Sequence, residues 1–212
     1  MSSLQQIYES HHASKRSQGF SIMEKDRGEL LKKNIGVGKK VLDIGCRDGA
    51  LTKWFAEGNQ VLGADIDSVS LDRAKQQLGI DTLFVDLNGD WQELGDQKYD
   101  VIVAGEILEH LYYPANVVDK VKSRLNPGGL FLGSVPNAFN LKHRLRYLMG
   151  NKQGTPLEDP THITQFSVAE LSGMLSKYFT DFEIIGLGRY KKLANLNPNL
   201  FAFDLFFVAK NN

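Results

Sequence analysis

A single cysteine, Cys46, among 212 residues excludes an internal disulfide and any cysteine-rich zinc module. A reducing, cytoplasmic setting is the expectation that follows. No apolar run approaches the roughly 20 residues that a membrane-spanning helix needs. The N-terminal stretch MSSLQQIYESHHASKRSQGF is polar, unlike the apolar core of a signal peptide, so neither a leader nor an integral membrane segment is expected. Charge of one sign is not in excess either. Twenty-five Lys and Arg balance 25 Asp and Glu, so no global field steers the chain toward nucleic acid, and an anionic partner would need a local patch. Internal repeats and low-complexity tracts are absent. What is present, 42% apolar and 24% charged residues, is ordinary globular usage, and the length suits one domain with a small cap.

Short apolar runs alternate with amphipathic segments. The runs are KKVLDIG (39–45), NQVLGAD (59–65), TLFVD (82–86), YDVIVAG (99–105) and GGLFLGSV (128–135). Their length and their Val, Ile and Leu content suit parallel strands buried on both faces. Between them, LTKWFAEG, SVSLDRAKQQLG and PANVVDKVKSRL carry helix punctuation: glycine stops at Gly58 and Gly79, and Pro114 in a first turn. SIMEKDRGELLKKNIGVG reads as a preliminary helix, which gives an N-terminal helical segment over 1–34 and a main domain over 35–212. The alternation predicts a doubly wound α/β sheet with its site at the carboxyl ends of the strands. Residues 136–166 lack a clear strand and read as a cap insertion. SVAELSGMLSKYF then predicts a helix, and FEIIGLGRY and FAFDLFFVAK predict two late strands able to pair as an antiparallel hairpin.

The first run ends in a glycine-rich turn, Asp43-Ile44-Gly45-Cys46-Arg47-Asp48-Gly49. Asp43 and Asp48 would repel the pyrophosphate of a dinucleotide, and the GxGxxG spacing is absent; a ligand carrying ammonium and sulfonium charge suits them. The second run ends in Asp65, where a carboxylate in this architecture accepts from ribose hydroxyls, with Asp67 as a competitor. The third ends in Asp86, a natural acceptor for an adenine amino group. Each Asp taken alone can instead be a helix cap.

The residues VLDIGCRDG (41–49), Asp65, Asp86, YDVIVAGEILEHL (99–111) and LNPGGLFLGSVPN (125–137) together resemble the class I S-adenosylmethionine-dependent methyltransferases, over roughly residues 35–212. The resemblance implies a Rossmann-like, seven-stranded, mainly parallel sheet whose last hairpin strand is antiparallel. It implies S-adenosylmethionine as cofactor, with Asp43, Gly45, Cys46, Gly49, Asp65, Ile66, Asp86, Leu87 and Gly105 in its site. One departure is Arg47, where the family usually has Gly; a positive φ there would require the turn to rearrange.

After the fourth run stands Glu106-Ile107-Leu108-Glu109-His110. If a helical turn begins there, i, i+3 and i+4 share one face and both carboxylates converge with the imidazole. With His162 from the cap, Glu106, Glu109 and His110 form a candidate site for Mg²⁺, Mn²⁺ or Zn²⁺, which would lower the pKa of a substrate hydroxyl. The pattern is similar to that of ubiquinone-pathway catechol O-methyltransferases and of small-RNA 2′-O-methyltransferases. Without a metal, His110 or His162 is a candidate general base, with Glu106 and Glu109 beside it, and His110 packed against backbone is the plain alternative. An Asn/Asp-Pro-Pro-Tyr segment, frequent in the nitrogen-directed members, is missing, so the resemblance implies an oxygen acceptor, a small molecule or saccharide. VPNAFNLKHRLRYLMG also resembles stretches of methionine- and polysaccharide-pathway methyltransferases. The segment 140–149 is basic and amphipathic; it can meet a membrane surface or a phosphorylated substrate, or lay its apolar stripe on the sheet as an ordinary cap helix. His11 and His12 are a further candidate closure over the cofactor. The alternative to an enzyme is a cofactor-binding regulatory or partner module that has lost its chemistry.

Overall fold

A computed structural model describes residues 19–212. Seven strands form one mixed sheet: β1 (Lys40–Ile44), β2 (Gln60–Asp65), β3 (Asp81–Phe84), β4 (Tyr99–Gly105), β5 (Leu125–Pro136), β6 (Asp181–Leu187) and β7 (Asp204–Lys210), in the order β3-β2-β1-β4-β5-β7-β6. The chain divides into two compact units between Val103 and Ala104.

In the first unit, β1 pairs in parallel with β2 and with β4, and β2 with β3. Strands β1, β2 and β4 carry their apolar runs because both of their faces are covered: Val41, Leu42, Ile44, Ala64 and Val101 to Val103 are buried, whereas the edge strand β3 departs from that expectation, with Thr82 and Leu83 half-buried and Phe84 exposed. Helix α1 (Glu24–Ile35) buries Leu31 and Ile35, and α2 (Ser68–Leu78) buries Leu71 and Ala74. Asp67 caps α2 by accepting the Ser70 N–H, and Gly79 ends it at φ 66°. The predicted helix after β1 is only a 3₁₀ turn at Thr52–Trp54. LTKWF has one apolar pair and a glycine three residues after its last aromatic, too short a stripe to propagate an α-helix.

The second unit holds α3 (Pro114–Arg124), α4 (Leu141–Leu148), α5 (Val168–Leu175), α6 (Lys191–Leu196) and α7 (Pro198–Phe201). Strand β7 is antiparallel to both β5 and β6, so the late hairpin forms as expected; α6 and α7 occupy its connection. Strand β5 starts at Leu125, before Pro127 and Gly128, earlier than its apolar run suggests. The core here is aromatic. Phe131 meets Phe207 edge-on with ring centroids 4.9 Å apart and stacks on Phe179 at 6.0 Å. No helix among the described residues is long and apolar enough to cross a membrane.

Candidate functional site

The turn after β1 alternates glycine with charge, and its backbone explains why. Gly45, Arg47 and Gly49 all have positive φ, at 74°, 49° and 79°. The Gly45 N–H donates to Ala64 O at 2.7 Å, which draws the turn onto the end of β2. At Gly49 a Cβ would lie 2.5 Å from the Leu78 Cδ1 methyl and 3.4 Å from Ala74 Cβ, so a side chain there would have to displace the end of Leu78. Arg47 does not rearrange the turn. It adopts the left-handed conformation itself, and its N–H donates to Asp65 Oδ2 at 2.9 Å. Its guanidinium then donates to Asp48 Oδ1 at 3.0 Å and to Phe20 O at 2.6 Å.

The five aspartates at and after the strand ends separate into different roles. Asp43 is buried, accepting from Thr52 Oγ1 at 2.6 Å, and burial with the neighbouring charge of Asp65 raises its pKa to about 7 despite that bond. Asp65 accepts the Asp67 N–H through Oδ1, also at 2.9 Å, so its carboxylate is held by backbone donors rather than used as a helix cap. Asp67 is the cap: it accepts from Ser70 N–H at 3.1 Å and Ser70 Oγ at 2.7 Å, which removes it as the competitor of Asp65. Asp86 accepts the Asn88 N–H at 2.9 Å in a local turn, half-buried, and caps no helix. Asp48 is pushed up by burial, yet the Gly19 N–H at 2.8 Å and the Arg47 charge bring it below the usual carboxylate range. Burial pushes the Cys46 thiol well up, so it is an inert packing group beneath Gly63. Ile66 is half-buried and Leu87 buried; their apolar side chains suit the edge of a purine. The donor set of this unit is acidic and fits a cationic, hydroxyl-bearing ligand.

In the second unit, β4 ends at Gly105, and Glu106 turns at φ 60°. Its N–H donates to Ser134 O at 3.0 Å and its Oε1 accepts from Ser134 Oγ at 3.1 Å. A 3₁₀ turn, Leu108–His110, follows instead of an α-helical one. The expected shared face of Glu106, Glu109 and His110 therefore does not form: the left-handed residue and the three-residue period turn Glu106 toward β5. Glu109, His110 and His162 do come together, with one ligand atom from each lying within 4.8 Å of the others. His110 Nε2 is 4.0 Å from Glu109 Oε1, and the two imidazole centroids are 4.8 Å apart at 67°. Each ring is oriented by backbone: His110 Nδ1 lies 2.9 Å from Thr161 O, and His162 Nδ1 lies 3.0 Å from Pro156 O. A carbonyl can only accept, so both Nδ1 atoms carry a proton, and in the neutral ring the lone pair is on Nε2. Asp159 supports this loop by accepting from Thr161 N–H and Oγ1. His11 and His12 lie outside the described residues.

Thr52, Ser134 and Thr161 were not legible as site residues. Each meets its partner across 9 to 51 positions of sequence, and only the side chains they serve, Asp43, Glu106 and His110, left a local signal.

The sequence profile of the methyltransferase domain family matches residues 16–185. The ubiquinone biosynthesis O-methyltransferase of Pasteurella multocida is 34% identical over 114 residues, 47% of this chain and 47% of that protein. That of Paraburkholderia phytofirmans is 35% identical over 124 residues, 53% of this chain and 50% of the relative. The chain thus spans about half the length of the curated relatives it matches. Among solved structures, a SAM dependent methyltransferase from Archaeoglobus fulgidus superposes with a TM-score of 0.66 at 19% identity, covering 96% of this chain and 99% of that one. Magnesium protoporphyrin IX methyltransferase from Synechocystis, with bound SAH, gives 0.65 at 16% identity over 97% of this chain and 93% of that one. At these identities the structures speak for the fold alone.

Proposed function

Because the chain belongs to the methyltransferase domain family, we propose that it transfers a methyl group from S-adenosylmethionine to an oxygen of a small-molecule or saccharide acceptor. The acidic turn carries this reading. Asp43, Asp48 and Asp65 disfavour a pyrophosphate and suit a ligand with cationic sulfur and nitrogen. Asp65 accepts from the ribose hydroxyls, Asp86 from the adenine amino group, and Ile66 and Leu87 flank the ring; Gly45, Cys46 and Gly49 line the approach with backbone. Bound there, the cofactor supplies a methyl group on an already activated leaving group. The chain's remaining tasks are to align an acceptor oxygen at about 3 Å and to take its proton. His110 fits the second task, since its Nδ1 proton is committed to Thr161 O and its Nε2 is left basic. Glu109, 4.0 Å from that nitrogen, stabilises the imidazolium that forms. Glu106 positions the strand end through Ser134. Oxygen as the acceptor is supported by the names of the curated relatives.

The test is calorimetric titration with S-adenosylhomocysteine in EDTA-treated buffer, followed by turnover over a panel of catechol, phenol and saccharide acceptors. Micromolar binding that disappears in Asp65→Ala is expected, with His110→Ala keeping that binding and losing turnover. Binding with no turnover on any acceptor would favour the regulatory module instead. Absent binding would sink both.

A second reading is favoured by the paired Nδ1 bonds. Glu109, His110 and His162 offer one carboxylate and two oriented Nε2 atoms, a donor set suited to Mn²⁺ or Zn²⁺ more than to Mg²⁺. Such an ion would lower the pKa of an acceptor hydroxyl. Titration with Mn²⁺ or Zn²⁺ checks it: stoichiometric binding in the wild type, lost in His162→Ala, is the expected result, and heat unchanged by that substitution would discard the metal.

A further inference from the structure

Helix α4 turns its apolar stripe toward solvent. Leu141, Leu145, Leu148 and Met149 recur at the i, i+4, i+7 and i+8 spacing of one helix face, and all four are exposed, Leu148 by 85% and Met149 by 72%. The other face holds the helix to its unit. His143 is buried with Nδ1 3.0 Å from Asn137 O, and Arg144 Nη2 donates to Asn199 Oδ1 of α7 at 2.9 Å. The expectation that the stripe lies on the sheet is therefore reversed: the single buried position of α4 is a histidine. Helices α6 and α7 extend the exposed surface with Leu193, Leu196, Phe201 and the following Phe203, of which Leu196 is 80% exposed. A lone exposed leucine needs no account, whereas eight large exposed apolar side chains on and beside three helices that pack in series mark an interaction site.

Charge indicates the partner. Residues 136–157 contain Lys142, Arg144, Arg146 and Lys152, and residues 184–203 contain Arg189, Lys191 and Lys192. Neither stretch contains an Asp or Glu, although the chain as a whole is balanced. Cations have thus been sorted to the two segments that expose the apolar stripe. A protein groove would require a matching shape on the partner. An anionic bilayer requires only an apolar ridge that enters the headgroup layer and basic side chains whose stems run along that ridge.

We propose that this face of the second unit seats on an anionic membrane surface. Leu145, Leu148, Met149 and Leu196 enter the boundary between headgroups and acyl chains, and the flanking Lys and Arg lie against the headgroup phosphates. The inference is independent of methyl transfer, and its test uses no cofactor.

The experiment is flotation of the full chain with vesicles of phosphatidylcholine alone or with about one third phosphatidylglycerol. Binding to the anionic vesicles at least about tenfold above the neutral ones is expected. It should fall as salt rises from about 0.1 M to about 1 M, where the screening length shrinks from about 10 Å to about 3 Å. Leu148→Ser/Met149→Ser and, separately, Lys142→Glu/Lys192→Glu should each weaken binding by about tenfold. All four positions are exposed, and an unchanged thermal melt checks that each variant folds. Equal binding to both vesicle types, no binding to either, or full binding by Leu148→Ser/Met149→Ser would overturn the proposal. So would light scattering that finds a dimer in the wild type and a monomer in that double variant, because the stripe would then belong to a second copy of the chain.

Discussion

The Asp43 carboxyl lies buried at the last turns of β1, and the Thr52 hydroxyl, 2.6 Å away, is the bond that moderates its rise to a pKa of about 7. Removing that donor in Thr52→Val should cost about 1–3 kcal/mol, because a buried acceptor loses its partner. It should also lift Asp43 further, so the loss measured by urea denaturation is expected to be larger at pH 8 than at pH 5. An equal loss at both values would show that Asp43 does not ionise in this range. The chemistry of this corner was readable as residue types: an Asp at each strand end and glycine around the turn. What could not be read was which Asp does which task. Asp65 and Asp67 stand two positions apart with identical side chains, and only the β2-to-α2 geometry gives the cap to Asp67 and the Arg47 N–H to Asp65. Arg47 itself illustrates the limit of a pattern argument. A β-carbon in the left-handed region costs on the order of 1 kcal/mol, and the bonds to the neighbouring Asp48 and, 27 positions away, to the Phe20 carbonyl offset it.

At the scale of elements, strands and helices were legible where period and punctuation agreed. Helix α2 begins at Ser68 and stops before Gly79 because a capping Asp and a left-handed glycine bracket it. The segment after β4 departs from the helical turn that its spacing allows, for a physical reason. Glu106 to His110 carries spacing that suits an α-helix, but nothing in five residues distinguishes that from a 3₁₀ turn, whose period sends Glu106 to Ser134 instead. Likewise, periodicity finds the stripe on α4 but cannot say whether it faces inward. Two predictions belong here. Ser167 and Glu170 form a reciprocal capping box at α5, so Ser167→Ala should lower stability by about 1 kcal/mol in chemical denaturation. Gly49→Ala should cost more, about 2–3 kcal/mol, since the new methyl combines a left-handed backbone with a 2.5 Å approach to Leu78. Because Gly49 also shapes the candidate cofactor turn, S-adenosylhomocysteine affinity should fall in parallel; a stability loss with unchanged affinity would separate the turn from the ligand.

For the whole molecule, the strand order is the least local property, since adjacency of β1 to β4 or of β5 to β7 is decided by pairings far apart in sequence, and neither the apolar runs nor the punctuation between them carries it. The response to pH is also global, because it sums groups in both units. Asp43 has its folded pKa raised from 3.8 to about 7, so the stability it contributes is complete below about pH 4 and is lost as pH rises through about 7. The full span corresponds to roughly 4 kcal/mol at about 1.4 kcal/mol per unit. His143 acts in the opposite direction: burial lowers its pKa below 6.5, against the bond to Asn137 O, so its contribution is present above 6.5 and is lost as pH falls toward its folded value. Below about pH 4, Glu24, held down first by its bond to Lys53, and Asp48 lose their contributions as they protonate. In the upper part of the interval between pH 4 and 6.5 the two buried groups oppose one another, and above 6.5 Asp43 acts alone. The wild-type Tm should therefore fall less between pH 5.5 and 7.5 than Asp43 alone would dictate. In Asp43→Asn, which cannot ionise, the fall should vanish and the Tm should instead climb with pH to a plateau above 6.5, left by His143 alone. A melt series in steps of half a pH unit on both proteins decides it, and a variant curve parallel to the wild type throughout would remove Asp43 as the titrating group.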